Sequence, residues 1–155
     1  MRVIMRTAAV VGILALASSA GAQTDPNVGT WKLNLAKSKY NGASAPKSAT
    51  VVVESAGNGV KMTATSVRAD GSTRTIAFTA NYDGKDAAVT GTPDYNSVSM
   101  TRNGNTVKGV RRRGGKRAQT FTTVVSADGK SRTTTAAGTD ALGKKINTVQ
   151  VYDRQ

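Results

Sequence analysis

The sequence predicts an all-β fold, a single antiparallel up-and-down barrel of about eight to ten strands. Three observations lead there: evenly spaced turn signals, alternation of period two between them, and a thin supply of large apolar side chains. The turn signals are Asn58-Gly59, Asp70-Gly71, Asp83-Gly84, Thr92-Pro93-Asp94, Asn103-Gly104, Gly114-Gly115, Asp128-Gly129 and Leu142-Gly143. Asn-Gly and Asp-Gly supply the positive φ angles that tight hairpin turns require. Short strands at intervals of roughly 8–12 residues, each closed by a turn, make a barrel or a sandwich. The core favours the barrel. The chain has one Trp, two Phe and four Tyr, and Thr and Ala fill many strand positions. Each Thr in place of Ile forfeits burial at about 25 cal/mol per Å². A closed barrel around a small or polar cavity tolerates that better than a packed sandwich does.

Residues 1–22 are expected to be a signal peptide. Arg2 and Arg6 precede the apolar run Ala8–Ala17, and Ala20-Gly21-Ala22 is a small-residue cleavage site that leaves Gln23 first. The apolar run is too short for a spanning helix, which needs about 20 residues. The style of this leader points to a bacterial periplasm or the outside of the cell. Residues 23–155 then form one domain, with no cysteine to staple it.

The elements follow in order. After a polar lead over 23–28, residues Gly29–Leu35 form a first strand, with Trp31, Leu33 and Leu35 alternating against Lys32 and Asn34. Residues Ala36–Ser48, with Asn41, Gly42 and Pro46, form a loop or one short helical turn. Thr50–Ser55 is the second strand. Val60–Arg68 is the third, with Val60, Met62 and Ala64 on one face. Thr73–Tyr82 is the fourth, with Ile76, Phe78, Ala80 and Tyr82 on one side. Lys85–Thr90 is short. Ser97–Arg102 and Thr106–Arg113 pair around Asn103-Gly104. Lys116–Ser126 places Phe121, Thr123 and Val125 on one face. Ser131–Gly138 is almost all Thr and Ala, and Lys145–Tyr152 closes the chain, ten strands in all. Ala69–Thr75 resembles Ala127–Thr133, which is the same turn chemistry used twice rather than a repeat fold.

The chemistry argues against an enzyme. The chain has no His and no Cys, which removes the commonest general base and the thiol nucleophile. Most of its carboxylates sit at turns. Asp83 and Asp86 are a lone pair, too few for a calcium or other metal site. No cofactor motif is present.

Charge is the other strong signal. Without Arg2 and Arg6, the 22 Lys and Arg fall to 20 against 9 Asp and Glu, a net charge of about +11. Such a surface attracts anionic partners. Arg111, Arg112, Arg113, Lys116 and Arg117 flank Gly114-Gly115 as a candidate anion-binding hairpin tip. Its competing explanation is a solvated turn that keeps a sheet edge from aggregating. Nucleic acid is disfavoured, because no aromatic platform is interleaved among these charges.

Val28-Gly29-Thr30-Trp31-Lys32-Leu33 resembles the opening strand of the calycins, the lipocalins and fatty-acid-binding proteins, where a Gly-x-Trp element begins the barrel and the Trp closes its base. Val149–Arg154 resembles the last strand of the fatty-acid-binding group, in which an Arg-x-Tyr pair holds a ligand carboxylate. Here Gln150 stands in place of that Arg, while Tyr152 remains. About 13 residues separate the first two long strands, too few for the helical lid of those proteins, and a lipocalin's C-terminal helix is missing. The whole chain resembles small exported lipocalin-like bacterial proteins that begin Gly-Thr-Trp-Lys-Leu-Asn. Arg154 is expected over the face of Trp31, because the chain ends meet in a closed barrel.

The function expected is a monomeric exported binding protein for a small amphipathic or lipid-like molecule. Its ligand-binding residues would be Ile76, Phe78, Tyr82, Phe121, Gln150 and Tyr152. A neutral polar head is favoured by Gln150 and the many Thr hydroxyls. The alternative is a basic envelope protein that docks onto anionic lipid or polysaccharide through the Arg111–Arg117 tip.

Overall fold

The computed structural model describes residues 24–155, so the leader expected over residues 1–22 lies outside the described residues. The fold is the all-β antiparallel up-and-down barrel. Eleven strands appear in chain order: β1 Gly29–Leu33, β2 Lys39–Asn41, β3 Ser48–Ala56, β4 Gly59–Val67, β5 Thr73–Asn81, β6 Ala87–Thr90, β7 Ser97–Asn103, β8 Thr106–Arg113, β9 Lys116–Val125, β10 Ser131–Thr139 and β11 Lys145–Arg154. From β3 to β11 each strand pairs with the next in sequence. β1 closes the ring by pairing with both β3 and β11.

The unexpected strand is β2. The first strand stops at Leu33 because Asn34 caps a 3₁₀ turn over Leu35–Lys37, its side chain accepting from the Lys37 N–H at 3.2 Å. That turn steps the chain sideways, and β2 then pairs with Asn147–Val149 of β11, above the place where β1 pairs with Leu33↔Tyr152. One ring position is thus shared by two short strands, which gives ten positions in all. Leu35, expected to alternate inward, is 41% exposed on the 3₁₀ turn.

The hairpins also differ in detail from the simplest expectation. No Asn or Asp takes a positive φ. Gly57 and Gly104 carry the bend at the sites read as Asn58-Gly59 and Asn103-Gly104. The aspartates act through their side chains instead: Asp70, Asp83, Asp128 and Asp140 each accept from the backbone N–H two residues on, at 2.9–3.0 Å.

Because the strands alternate in direction, the turns segregate to two ends. The β3–β4, β5–β6, β7–β8 and β9–β10 connections share one end with the chain termini, and the other four turns share the opposite end. The terminal end is shut. Trp31 has no exposed surface, and its Nε1 donates to Asn27 O at 2.9 Å. The Arg154 guanidinium lies 4.1 Å from the Trp31 ring and donates to Gly129 O, Val28 O and Pro26 O at 2.6–2.9 Å. Gly29, at φ +144°, leaves room for that guanidinium, which a Cβ there would strike. Asp25–Val28 is thereby strapped across the base. Above it Val53, Val60, Val98 and Val125 are fully buried.

Candidate ligand-binding cavity

The barrel is hollow above this floor. A cavity of about 820 Å³ runs from Asn27 up to a mouth framed by residues 42–46, 68–70, 92–95 and 140–144. That volume falls in the roughly 300–1,000 Å³ range of small-molecule sites.

Its wall has two kinds of surface. On one side β3 contributes Ala49, Val51 and Val53, β4 contributes Val60, Met62 and Ala64, β5 contributes Ile76 and Phe78, and β7 contributes Val98 and Met100. These residues follow the period-two alternation of their strands, and the inward face stays apolar up to the mouth, where Ser66 of β4 and Arg74 of β5, the latter facing Asp94 at 3.9 Å, continue it. On the other side β8 places Arg111, β9 places Gln119, Phe121 and Thr123, β10 places Arg132, Thr134 and Ala136, and β11 places Thr148, Gln150 and Tyr152. There the inward positions are mostly polar.

Arg111 is held between two rings. Its guanidinium carbon lies 4.7 Å from the Phe121 centroid and 4.9 Å from that of Tyr95, and it donates to Gln119 Oε1 at 3.0 Å. Gln119 is itself anchored, its Nε2 donating to Thr139 O at 3.1 Å. Phe121 reaches this position because Gly109 lies opposite it: a Cβ at Gly109 would collide with the ring. Arg132 is buried at 6% exposure. Its Nε donates to Asn27 Oδ1 at 2.8 Å, and its guanidinium lies 5.7 Å from the ring of Tyr152, its cross-strand partner. Burial pulls this guanidinium down to about 10, and the charge of Arg111 adds to the effect. Burial also pushes the Tyr152 hydroxyl up to about 12, so it is a neutral donor at ordinary pH. Neither Arg111 nor Arg132 forms an ion pair with a carboxylate among the described residues.

The remaining polar groups are matched to one another. The buried hydroxyls of Thr123 and Thr134 bond at 2.8 Å, and Gln150 Nε2 donates to Tyr40 Oη at 3.2 Å. Burial raises the Tyr40 phenol, and the Gln150 contact opposes that only in part.

Of the residues named from sequence, Ile76, Phe78, Phe121, Gln150 and Tyr152 all line the cavity. Tyr82 does not. It follows the last residue of β5 at the shut end, where its hydroxyl donates to Asp25 Oδ2 at 2.6 Å and Arg102 lies 5.5 Å from its ring. Burial, and then the carboxylate beside it, raise its phenol. The five cations of the hairpin tip do not share one face. Arg111 points into the barrel. Arg112 pairs outside with Asp86 at 2.6 Å and with Ser99 Oγ at 3.0 Å. Arg113 braces two mouth loops, donating to Asp94 O and Asp140 O at 2.9 and 2.8 Å. Lys116 and Arg117 are exposed at the turn. Ordinary alternation along β8 turns Arg111 inward and Arg112 outward, and a β-bulge opposite them leaves Ala118 of β9 unpaired. Asp83 and Asp86 are likewise engaged apart, one with the Lys85 N–H and one with Arg112.

Arg132 escaped the sequence reading, yet its signal was present. Across the Asp128-Gly129 hairpin the pairs are Arg132↔Val125, Thr134↔Thr123 and Ala136↔Phe121. Directly paired residues share a face, so Arg132 lies on the same side as the apolar set of β9.

No protein-family model matches the chain, and no curated protein matches it. Among solved structures, the chain is similar to zebrafish ileal bile acid-binding protein complexed with cholic acid. The TM-score is 0.47 at 12% identity, covering 84% of this chain and 99% of that one.

Proposed function

We propose that this protein binds a small amphipathic molecule with an anionic head inside the barrel. One observation carries the proposal: a two-sided cavity in which two inward guanidiniums have no carboxylate partner. A buried charge without a partner costs on the order of several kcal/mol, and an anionic ligand group offsets that cost. The head would lie among Arg132, Tyr152 and Arg111, with Thr134 and Gln150 as further hydrogen-bonding groups. The tail would lie along Val51, Met62, Ile76 and Phe78. The head is thus anionic rather than the neutral one expected from Gln150, because the arginine beside Tyr152 comes from β10 and not from position 150.

The leader over residues 1–22 supports export to a bacterial periplasm or beyond. Native mass spectrometry of the protein recovered from its own host tests both statements. The expected result is a polypeptide mass beginning at Gln23, with a small acidic molecule held near one to one that is released on denaturation. A ligand-free mass that stays unchanged after incubation with the host's lipid extract would count against the cavity reading.

A further inference from the structure

The mouth of the barrel carries a feature that ligand binding inside does not use. Leu142 is 93% exposed at the tip of the β10–β11 turn, where it borders the cavity entrance. Its loop is held rather than loose. Asp140 Oδ1 accepts from the N–H groups of Leu142 and Lys144 at 2.9 and 2.8 Å, and Asp94 Oδ1 accepts from that of Ala141 at 2.9 Å. The apolar tip is therefore presented outward by design of the turn. Around it, on the turns and strand ends of the same end, stand Lys47, Arg68, Lys116, Arg117, Lys144 and Lys145, all exposed. None of the six forms an ion pair among the described residues. Of the chain's nine acidic residues, the turns of this end hold Asp70, Asp94 and Asp140. Each is engaged: Asp70 with Ser72, Asp94 with Arg74 at 3.9 Å, and Asp140 with its own turn.

We infer that the mouth end docks onto an anionic lipid membrane, with Leu142 entering the interface and the six cations lying over the headgroups. Charge complementarity selects an anionic surface, since cations this close to one are each worth roughly a factor of five in affinity. The apolar tip selects lipid over an acidic polysaccharide: burying a leucine side chain adds roughly ten- to a hundredfold, and a polysaccharide has no apolar layer to receive it. Docked this way, the cavity opens onto the bilayer, the source of an amphipathic ligand. Docking does not depend on what the cavity holds.

The absence of cysteine from the chain permits a position-specific test. Leu142→Cys and Lys130→Cys each receive an environment-sensitive dye, the second on the exposed β9–β10 turn at the shut end. Vesicles of phosphatidylcholine with about a third phosphatidylglycerol, a surface negative enough to attract basic segments, are then added to the full chain. The dye at 142 is expected to shift to the blue, that at 130 to stay unchanged, and the shift to vanish in high salt. In the Leu142→Cys background, Lys116→Ser, Arg117→Ser and Lys144→Ser together are expected to weaken the vesicle affinity by about a hundredfold, with the thermal midpoint unchanged. No shift at 142, an equal shift at 130, or an equal response to vesicles of phosphatidylcholine alone would overturn the proposal. Because residues 24–28 lie at the shut end, adsorption through the N-terminus would move the dye at 130 instead.

Discussion

The two walls of the cavity are built from strands of similar length, yet they do opposite work. On β3, β4, β5 and β7 the inward side chains below the mouth are Val, Met, Ile, Phe and Ala, and burial alone accounts for them; polar groups, Ser66 and the Asp94-paired Arg74, come only at the rim. On β8 to β11 the inward set includes Arg111, Gln119, Arg132, Thr134 and Gln150, each held by a named partner. The first wall accepts any apolar surface. The second is satisfied within itself except at the two guanidiniums, neither of which has a carboxylate in ion-pair contact among the described residues. The difference teaches that the barrel closes by backbone pairing on both sides, while selectivity resides on one.

The sharpest way to break this contrast is at Arg132. Arg132→Met keeps the length of the side chain and removes its charge. The expected loss for an anionic amphipath is about 1.5–3 kcal/mol, the range for a hydrogen bond to a charged group. An uncharged analogue of the same chain length should change little in calorimetric titration. Equal losses for both ligands would mean that Arg132 merely holds Asn27 in place.

On the opposite wall, Phe78→Ala should weaken both ligands alike, by about 1–1.5 kcal/mol for the apolar area removed. Its effect on the thermal midpoint should be smaller than that of Val125→Ala, because Phe78 lines open space while Val125 is fully buried away from the cavity.

Alkaline pH should separate the walls too. The free Arg132 has its pKa lowered to about 10, so it is charged below that value and loses its charge as the pH rises through it. Affinity for an anionic ligand should stay level from pH 6 to 9, then fall above about 10 by up to tenfold per unit. The Tyr152 hydroxyl, pushed up to about 12, keeps its proton over most of that fall. The uncharged analogue should show no such decline in fluorescence displacement.

The smallest effect concerns the threonine pair. Thr134→Val should cost about 1 kcal/mol in chemical denaturation, because Thr123 is left buried without its partner. Adding Thr123→Val should recover most of that. A strictly additive double variant would deny that the two hydroxyls are coupled.

The same contrast explains what the sequence made legible. Where the inward face is apolar, as at Ile76 and Phe78, alternation marks the strand and its buried side together. Along β10 the inward residues are Arg132, Thr134 and Ala136 and the outward ones Ser131, Thr133, Thr135 and Ala137, so no hydrophobic alternation marks a buried side and the strand looks like surface. Arg111 was hidden for a related reason: it sits beside four other cations, and a run of like charges does not mark which of them alternation turns inward. Tyr82 misled in the other direction, continuing the alternation of β5 after the strand had reached the floor. The short β2 had no pattern to show, since its three residues exist to cover the upper part of β11.

The central claim is that one wall carries the charge and the other the apolar contact for a single ligand. The most direct measurement is competition of dodecanoate and 1-dodecanol against a fluorescent amphipath, on the wild-type protein and on Arg111→Met/Arg132→Met. The account predicts that dodecanoate binds the wild type at least about tenfold more tightly, at one to one, and that the preference disappears in the double variant. Equal affinities for the two ligands in the wild type, or a preference that survives loss of both arginines, would contradict it.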